Sequence, residues 1–236
     1  LSEILQALKA AEKDDDIKTV VLDLDSFSGG GQVGLENVAE ALDRVKAANK
    51  PVLAFATGYF DDSYLLAAHA SEVWLDPMGA AAFVGPGGSR PYFKGLIDRL
   101  GVNVHVYRVG KFKSFVEPYI LNQQSPDAKA ANQALADALW TNWQDNVGKA
   151  RPKAKIAAFV ADPVAGVRAA GGSLAKAALA AGLVDKLGDR TAFGQRVAAL
   201  AGGDDDGPAG NFNYSELDEY VAAHPASRSG KQIGIV

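Results

Sequence analysis

Three short, almost unbroken apolar runs constrain the fold of this chain more than anything else in it. They occupy residues 19–24 (TVVLDL), 51–57 (PVLAFAT) and 72–76 (EVWLD). Runs without polar alternation are what strands look like when both faces of their sheet are covered. Between the first two, Leu35, Val38, Leu42 and Val45 mark one face of a helix, and a short helix over residues 64–70 separates the second from the third. Strand and helix alternate at the spacing of crossover connections, which predicts an α/β fold with a mostly parallel sheet.

The same pattern extends in both directions. Leu1, Ile4, Leu5 and Leu8 keep helical spacing, with Ser2 as a cap. Residues 79–89 read as a small-residue strand and glycine loop, residues 92–100 as a helix, and residues 103–109 as a further buried strand. Ser125-Pro126-Asp127 is a strong helix start, because a capping hydroxyl precedes a proline at the first turn and an early acid. That helix should reach about Arg151, with Ala131, Leu135, Leu139, Trp143 and Val147 on one face. Trp140 and Trp143 read as packing residues of a core or interface. A short helical piece follows over 156–160. Ser173 caps a helix ending at Gly182, residues 183–185 form a short strand, and residues 191–201 a last helix. Residues 202–210 (GGDDDGPAG) have linker composition, Ser215 and Asp218 resemble a capping box, and residues 232–236 (QIGIV) read as a strand that begins a second domain.

Composition narrows the function classes. The 236 residues are 48% hydrophobic with a net charge of −4, an ordinary globular profile that offers no nucleic-acid surface. No cysteine is present, which excludes disulfides, thiolate metal sites and a cysteine nucleophile and fits an extracytoplasmic location. No apolar run reaches the roughly 18 residues of a transmembrane helix. The chain opens at Leu1 without a signal-like segment and reads as the interior of a longer protein. His69, His105 and His224 are scattered without metal-ligand spacing, so no metal or cofactor is expected. His105, in the expected strand, reads as a core residue.

Three groups remain as candidate chemistry. Gly29-x-Gly31-x-x-Gly34 follows a strand and opens a helix, as a dinucleotide fingerprint would. The acid that should close the next strand is missing, since that strand ends Phe55-Ala56-Thr57. The glycine loop is then either an anion pocket built from exposed amides or a plain tight turn. Ser63 stands after a strand, where a nucleophile can sit, but Asp61, Asp62 and Ser63 are also ordinary helix-start residues, and capping is the favoured reading. Lys111 and Lys113 flank Phe112 at the exit of the expected strand. An apolar setting disfavours an ammonium, and a neutral lysine can take a proton from a hydroxyl. Glu117 is close enough in sequence to pair with either lysine and remove that role.

Residues 108–119 (RVGKFKSFVEPY) resemble the lysine segment of the long, two-repeat signal peptide peptidase A family, bacterial membrane-anchored serine proteases of the protease IV type with a Ser-Lys dyad. Residues 16–24, 50–52, 72–79 and 181–185 fit the family's other core segments in order, so the resemblance covers nearly the whole chain. It implies a crotonase-like, Clp peptidase-like domain. Residues 1–201 would be the amino-terminal repeat, 202–230 a linker with a short helix, and 231–236 the first strand of a truncated second repeat. Lys113 would be the general base. The nucleophilic serine would lie on the missing carboxy-terminal repeat, its place here falling near Asp61, so this chain alone is expected to be inactive. The glycine loop would be the counterpart of the second repeat's oxyanion loop. Implied partners are that second repeat, further subunits of a homotetramer, and hydrophobic remnant signal peptides. The implied location is the bacterial inner membrane with the catalytic domain on the periplasmic side and the anchor outside this chain. Two other readings stay open: a non-catalytic scaffold or oligomerisation repeat, and a crotonase-type acyl-thioester enzyme.

Overall fold

The computed structural model describes residues 1–110, 112–204 and 206–225, and the strand expected over 232–236 lies outside them. The described chain divides into two units, one built from residues 1–83 and 146 onward, the other from residues 84–145.

Unit 1 is organised around a four-stranded sheet in the order β1-β2-β3-β4, every neighbouring pair parallel. After helix α1 (Ser2–Ala11) come β1 (Val20–Asp23), α2 (Gln32–Ala47), β2 (Val52–Tyr59), α3 (Asp61–Ala68) and β3 (Glu72–Ala81). The chain then leaves for unit 2, which holds α4 (Lys94–Arg99), α5 (Glu117–Ile120) and most of the long helix α6 (Pro126–Ala150). Back in unit 1, α7 (Ile156–Ala161), α8 (Pro163–Ala169) and α9 (Leu174–Ala180) precede β4 (Lys186–Leu187), α10 (Arg190–Ala201) and α11 (Leu217–Ala223). This is the α/β class with a parallel sheet that the apolar runs predict, in line with the Clp peptidase-like domain that the resemblance implies.

The central strand explains the unbroken apolar pattern. The first five residues of β2, Val52 to Ala56, are all buried. Leu53 and Phe55 pack with Trp74 of β3 against Phe193 and Val197 of α10. Leu42 and Val45 of α2 and Leu65 of α3 are also buried. Fully burying each of these side chains contributes roughly 1.5–3 kcal/mol, which fixes the sheet as a rigid platform. The β2–β3 register slips between Ala56 and Gly58. Gly79 allows this, since a Cβ there would lie 2.1 Å from the Thr57 carbonyl oxygen.

Several local expectations hold. Ser173 Oγ accepts from the Lys176 N–H (3.2 Å) as the cap of α9, and Gly182 follows that helix with φ +71°. Ser125 Oγ accepts from the Ala128 N–H (3.2 Å) at the start of α6. Others shift. The strand expected over 183–185 pairs instead at Lys186–Leu187. The helix near residue 218 starts after Glu216, without a side-chain cap from Ser215. The predicted apolar face of α6 is buried at Trp143 and Val147, whereas Leu135 is 61% exposed.

One expectation fails outright. Residues 103–109 form no strand, and Tyr107 and Val109 lie almost fully in solvent. Alternating valines and aromatics give a segment the appearance of a strand, but without a neighbour to accept its hydrogen bonds none forms. His105 is accordingly exposed, not a core residue.

Candidate active site

The glycine loop and the start of α3 meet at the carboxyl end of β1 and β2. Gly29 adopts φ +99°, and a Cβ on it would approach Asp62 Oδ2 to 2.8 Å. That carboxylate accepts the Gly30 N–H at 2.9 Å. An amide that would otherwise be available to an anion is therefore bound to the chain's own acid. The dinucleotide reading has no support here, and of the two readings left open, a turn closed by Asp62 describes the geometry.

Ser63 is fully engaged as well. Its Oγ accepts from the Phe60 N–H (2.9 Å), donates to the Phe60 carbonyl (3.2 Å), and the residue is buried. A hydroxyl held in this reciprocal pair closes the first turn of α3. No histidine or lysine side chain is hydrogen-bonded to it among the described residues. The favoured capping role is what the structure displays.

Lys113 sits differently. It lies in a turn of unit 2 between Gly110 and α5, and it is exposed. The burial expected at a strand exit is thus absent within this chain, because the strand itself is absent. The main chain of the turn is tightly tied. The Lys113 N–H donates to the Gly110 carbonyl (3.3 Å), and Arg108 Nη1 donates to the Lys113 carbonyl (3.0 Å). Arg90 Nη2 donates to the Phe115 carbonyl (2.7 Å), and the Phe93 N–H to the Pro118 carbonyl (2.7 Å). The ammonium makes no ion pair among the described residues.

Glu117 does not pair with Lys113. It is completely buried, with Oε1 accepting the Ser125 hydroxyl (2.6 Å) and Oε2 the Ser125 N–H (3.1 Å), while Arg108 Nη1 stands 3.7 Å from Oε1. These donors, Ser125 first, hold its carboxyl below the usual carboxylate range despite burial. Ser125 thus caps α6 through its oxygen and binds Glu117 through its proton.

Two constellations escaped the sequence reading. His69 is buried, with Nδ1 2.8 Å from Asp43 Oδ2 and Nε2 2.9 Å from Asn146 Oδ1. It joins α2, α3 and the end of α6 with no nucleophile beside it. Arg190, at the start of α10, binds Asp23 through two contacts (2.6 and 3.0 Å) and Asp25 through one (2.7 Å), above the Phe55 ring. Arg190 pulls the Asp23 carboxyl below its ordinary range, the hydrogen bond outweighing desolvation. Partners separated by 165 or more residues leave no local signal. Among the described residues no cluster of metal-ligating side chains occurs, and no helix is long and apolar enough to cross a membrane.

A four-stranded, all-parallel sheet joined by helices sets the class as an α/β domain. Comparison with known proteins gives the family: residues 44–203 match Peptidase family S49, and the chain belongs to it. It is similar to Protease 4 of Haemophilus influenzae, 34% identical over 225 residues that make up 94% of this chain and 36% of that protein. It is also similar to Protease 4 of Salmonella typhi, 35% identical over 189 residues, 79% of this chain and 31% of that protein. The chain spans about a third of the length of these curated relatives.

Proposed function

We propose that this chain is the lysine-bearing, amino-terminal repeat of a two-repeat serine peptidase, with Lys113 as general base. Residues 1–201 are the repeat proper and 202–230 the linker toward a second repeat that carries the serine. The observation that carries the reading is the contrast between two side chains. The fold uses up the Ser63 hydroxyl, whereas it fixes the Lys113 backbone and leaves the amine exposed.

In the assembled enzyme the neutral amine takes the proton of the incoming serine hydroxyl. The alkoxide attacks the peptide carbonyl, the lysine returns that proton to the leaving amine, and water hydrolyses the acyl-enzyme. A neutral amine requires a water-poor setting, which the partner repeat must complete over the exposed lysine. The exposed apolar side chains of unit 2, among them Tyr107, Val109, Phe112 and Phe115, suit a surface covered by that repeat, by other subunits of a homotetramer, or by hydrophobic signal-peptide remnants. The site of action is the bacterial inner membrane, on its periplasmic side. Among the described residues the isolated chain offers no competent nucleophile, and on this reading it is inactive.

The test is Lys113→Ala in the full-length protein, assayed on an apolar fluorogenic peptide. Activity should fall at least about a thousand-fold, as for loss of a dyad member. Near-normal turnover would reject the assignment and favour a non-catalytic scaffold, for which the same apolar surface would serve assembly alone.

A further inference from the structure

We infer that Arg108 and Glu117 are positioning residues for Lys113, a guanidinium held by a buried carboxylate so that it fixes the turn from which the amine projects. The inference rests on the reading of Lys113 as the base.

The connection is continuous. Helix α6 begins at Ser125, whose oxygen caps it and whose proton goes to Glu117. Glu117 faces Arg108, and Arg108 donates to the Lys113 carbonyl at 3.0 Å. The Glu117 N–H in turn donates to the Ser114 carbonyl (3.1 Å), so the carboxylate's own backbone closes the segment that follows the lysine. With the Lys113 N–H on the Gly110 carbonyl, both peptide groups flanking the lysine Cα are tied. That sets the direction in which the four-carbon side chain leaves the backbone. Its flexible stem otherwise gives an amine little angular definition.

The burial of Glu117 requires a reason beyond helix capping. Glu117 accepts the Ser125 N–H and O–H, which a neutral acceptor could do without burying a charge. What a neutral acceptor cannot do is hold a guanidinium by its charge, and Arg108 Nη1 stands 3.7 Å from Oε1. Arg108 is the group the carboxylate orients, and the Lys113 carbonyl is what Arg108 reaches. The two residues act through Lys113 and touch no reacting atom.

The experiment uses the full-length protein with an apolar fluorogenic peptide, measuring kcat and KM separately and the melting temperature alongside. Arg108→Ala should lower kcat by about ten- to a hundred-fold, the effect expected when a reacting group is displaced by about an ångström. KM should stay within about twofold, as when the lost contact serves the transition state alone. Arg108→Lys, which keeps one donor and the charge, should recover part of the loss. Glu117→Gln should fall between the wild type and Arg108→Ala, because an amide oxygen still accepts from Ser125 but holds the guanidinium weakly. If Arg108→Ala fails to fold, Arg108→Lys and Glu117→Gln decide alone. Wild-type kcat in these variants, or losses confined to KM or melting temperature, would overturn the positioning role while Lys113→Ala still inactivates. An active Lys113→Ala protein would instead remove the reading on which the inference stands.

Discussion

The glycine corner and the lysine turn both hold groups suited to acyl-transfer chemistry, and the fold treats them in opposite ways. At the corner the reactive atoms are spent on structure: Asp62 takes the Gly30 N–H, and the Ser63 hydroxyl both accepts from and donates to Phe60. At the turn the main chain carries the structural bonds, through Arg108, Arg90 and the Gly110 carbonyl, and the amine carries none. A polar side chain with its hydrogen-bonding capacity filled is stable and unreactive. A charged side chain left free on an immobilised backbone is available for use by something outside the unit. Residue type alone separates neither case, since serine and lysine each serve both ends.

The largest effect should come from testing the two regions on one assay. Set beside Lys113→Ala, which the proposal expects to be inactive, Ser63→Ala in the full-length protein should keep kcat within about twofold, because the hydroxyl serves a helix start. A Ser63→Ala protein as dead as Lys113→Ala would break the comparison by making the corner catalytic.

The second contrast is energetic. Leu53 is fully buried in the sheet beneath α10, and Leu135 of α6 is 61% exposed. Leu53→Ala should destabilise by about 2–5 kcal/mol in urea denaturation. Leu135→Ala in the isolated chain should stay within about 0.5 kcal/mol. If Leu135→Ala destabilises only the full-length assembly, that helix face is covered there, which sharpens the difference between a unit closed on itself and one that is not.

How much of this was legible depends on how local the signal is. The sheet was readable because each of β1, β2 and β3 announces itself within a few residues. The caps at Ser125 and Ser173 were readable because a cap and its helix are adjacent. The strand proposed at residues 103–109 failed because its valines and Tyr107 signal burial without specifying what does the burying. Asp62 on Gly30 is 32 residues distant and Arg190 on Asp23 is 167. Such pairs exist only once the sheet has brought their ends together. Of the candidate site, the lysine was proposed from the segment around it; the contacts of Glu117 with Ser125 and Arg108 were not, since they depend on how the turns between residues 108 and 125 fold.

Acid should discriminate next. Asp23 and Glu72 of unit 1 are held below their ordinary ranges chiefly by hydrogen bonds from Arg190 and Arg196. A carboxylate with a lowered folded-state pKa contributes stability that is present above its unfolded value and lost as pH falls through the folded one. The melting temperature should therefore hold at neutral pH and decline as pH drops below about 4.5, the ordinary glutamate value. Arg196→Ala should lower the neutral plateau and flatten part of that decline. A steep decline unchanged in Arg196→Ala would mean that the Glu72 pair contributes little.

The smallest effects belong to the corner itself, and they test whether Asp62 is simply closing a turn. Asp62→Asn keeps an oxygen that can accept the Gly30 N–H, so only the charge assistance of that bond is lost. Exposed as the loop is, the change should cost about 0.5 kcal/mol or less. Asp62→Ala removes the acceptor and leaves Gly30 to water, for about 1 kcal/mol. Gly29 follows the same logic in reverse: at φ +99° an alanine is strained before it meets the Asp62 carboxylate. Gly29→Ala should therefore cost more than Asp62→Ala, and pairing it with Asp62→Ala should relieve the collision but not the strain. Full relief in the double variant would place the whole demand for glycine on the carboxylate; partial relief leaves the backbone conformation as the larger share.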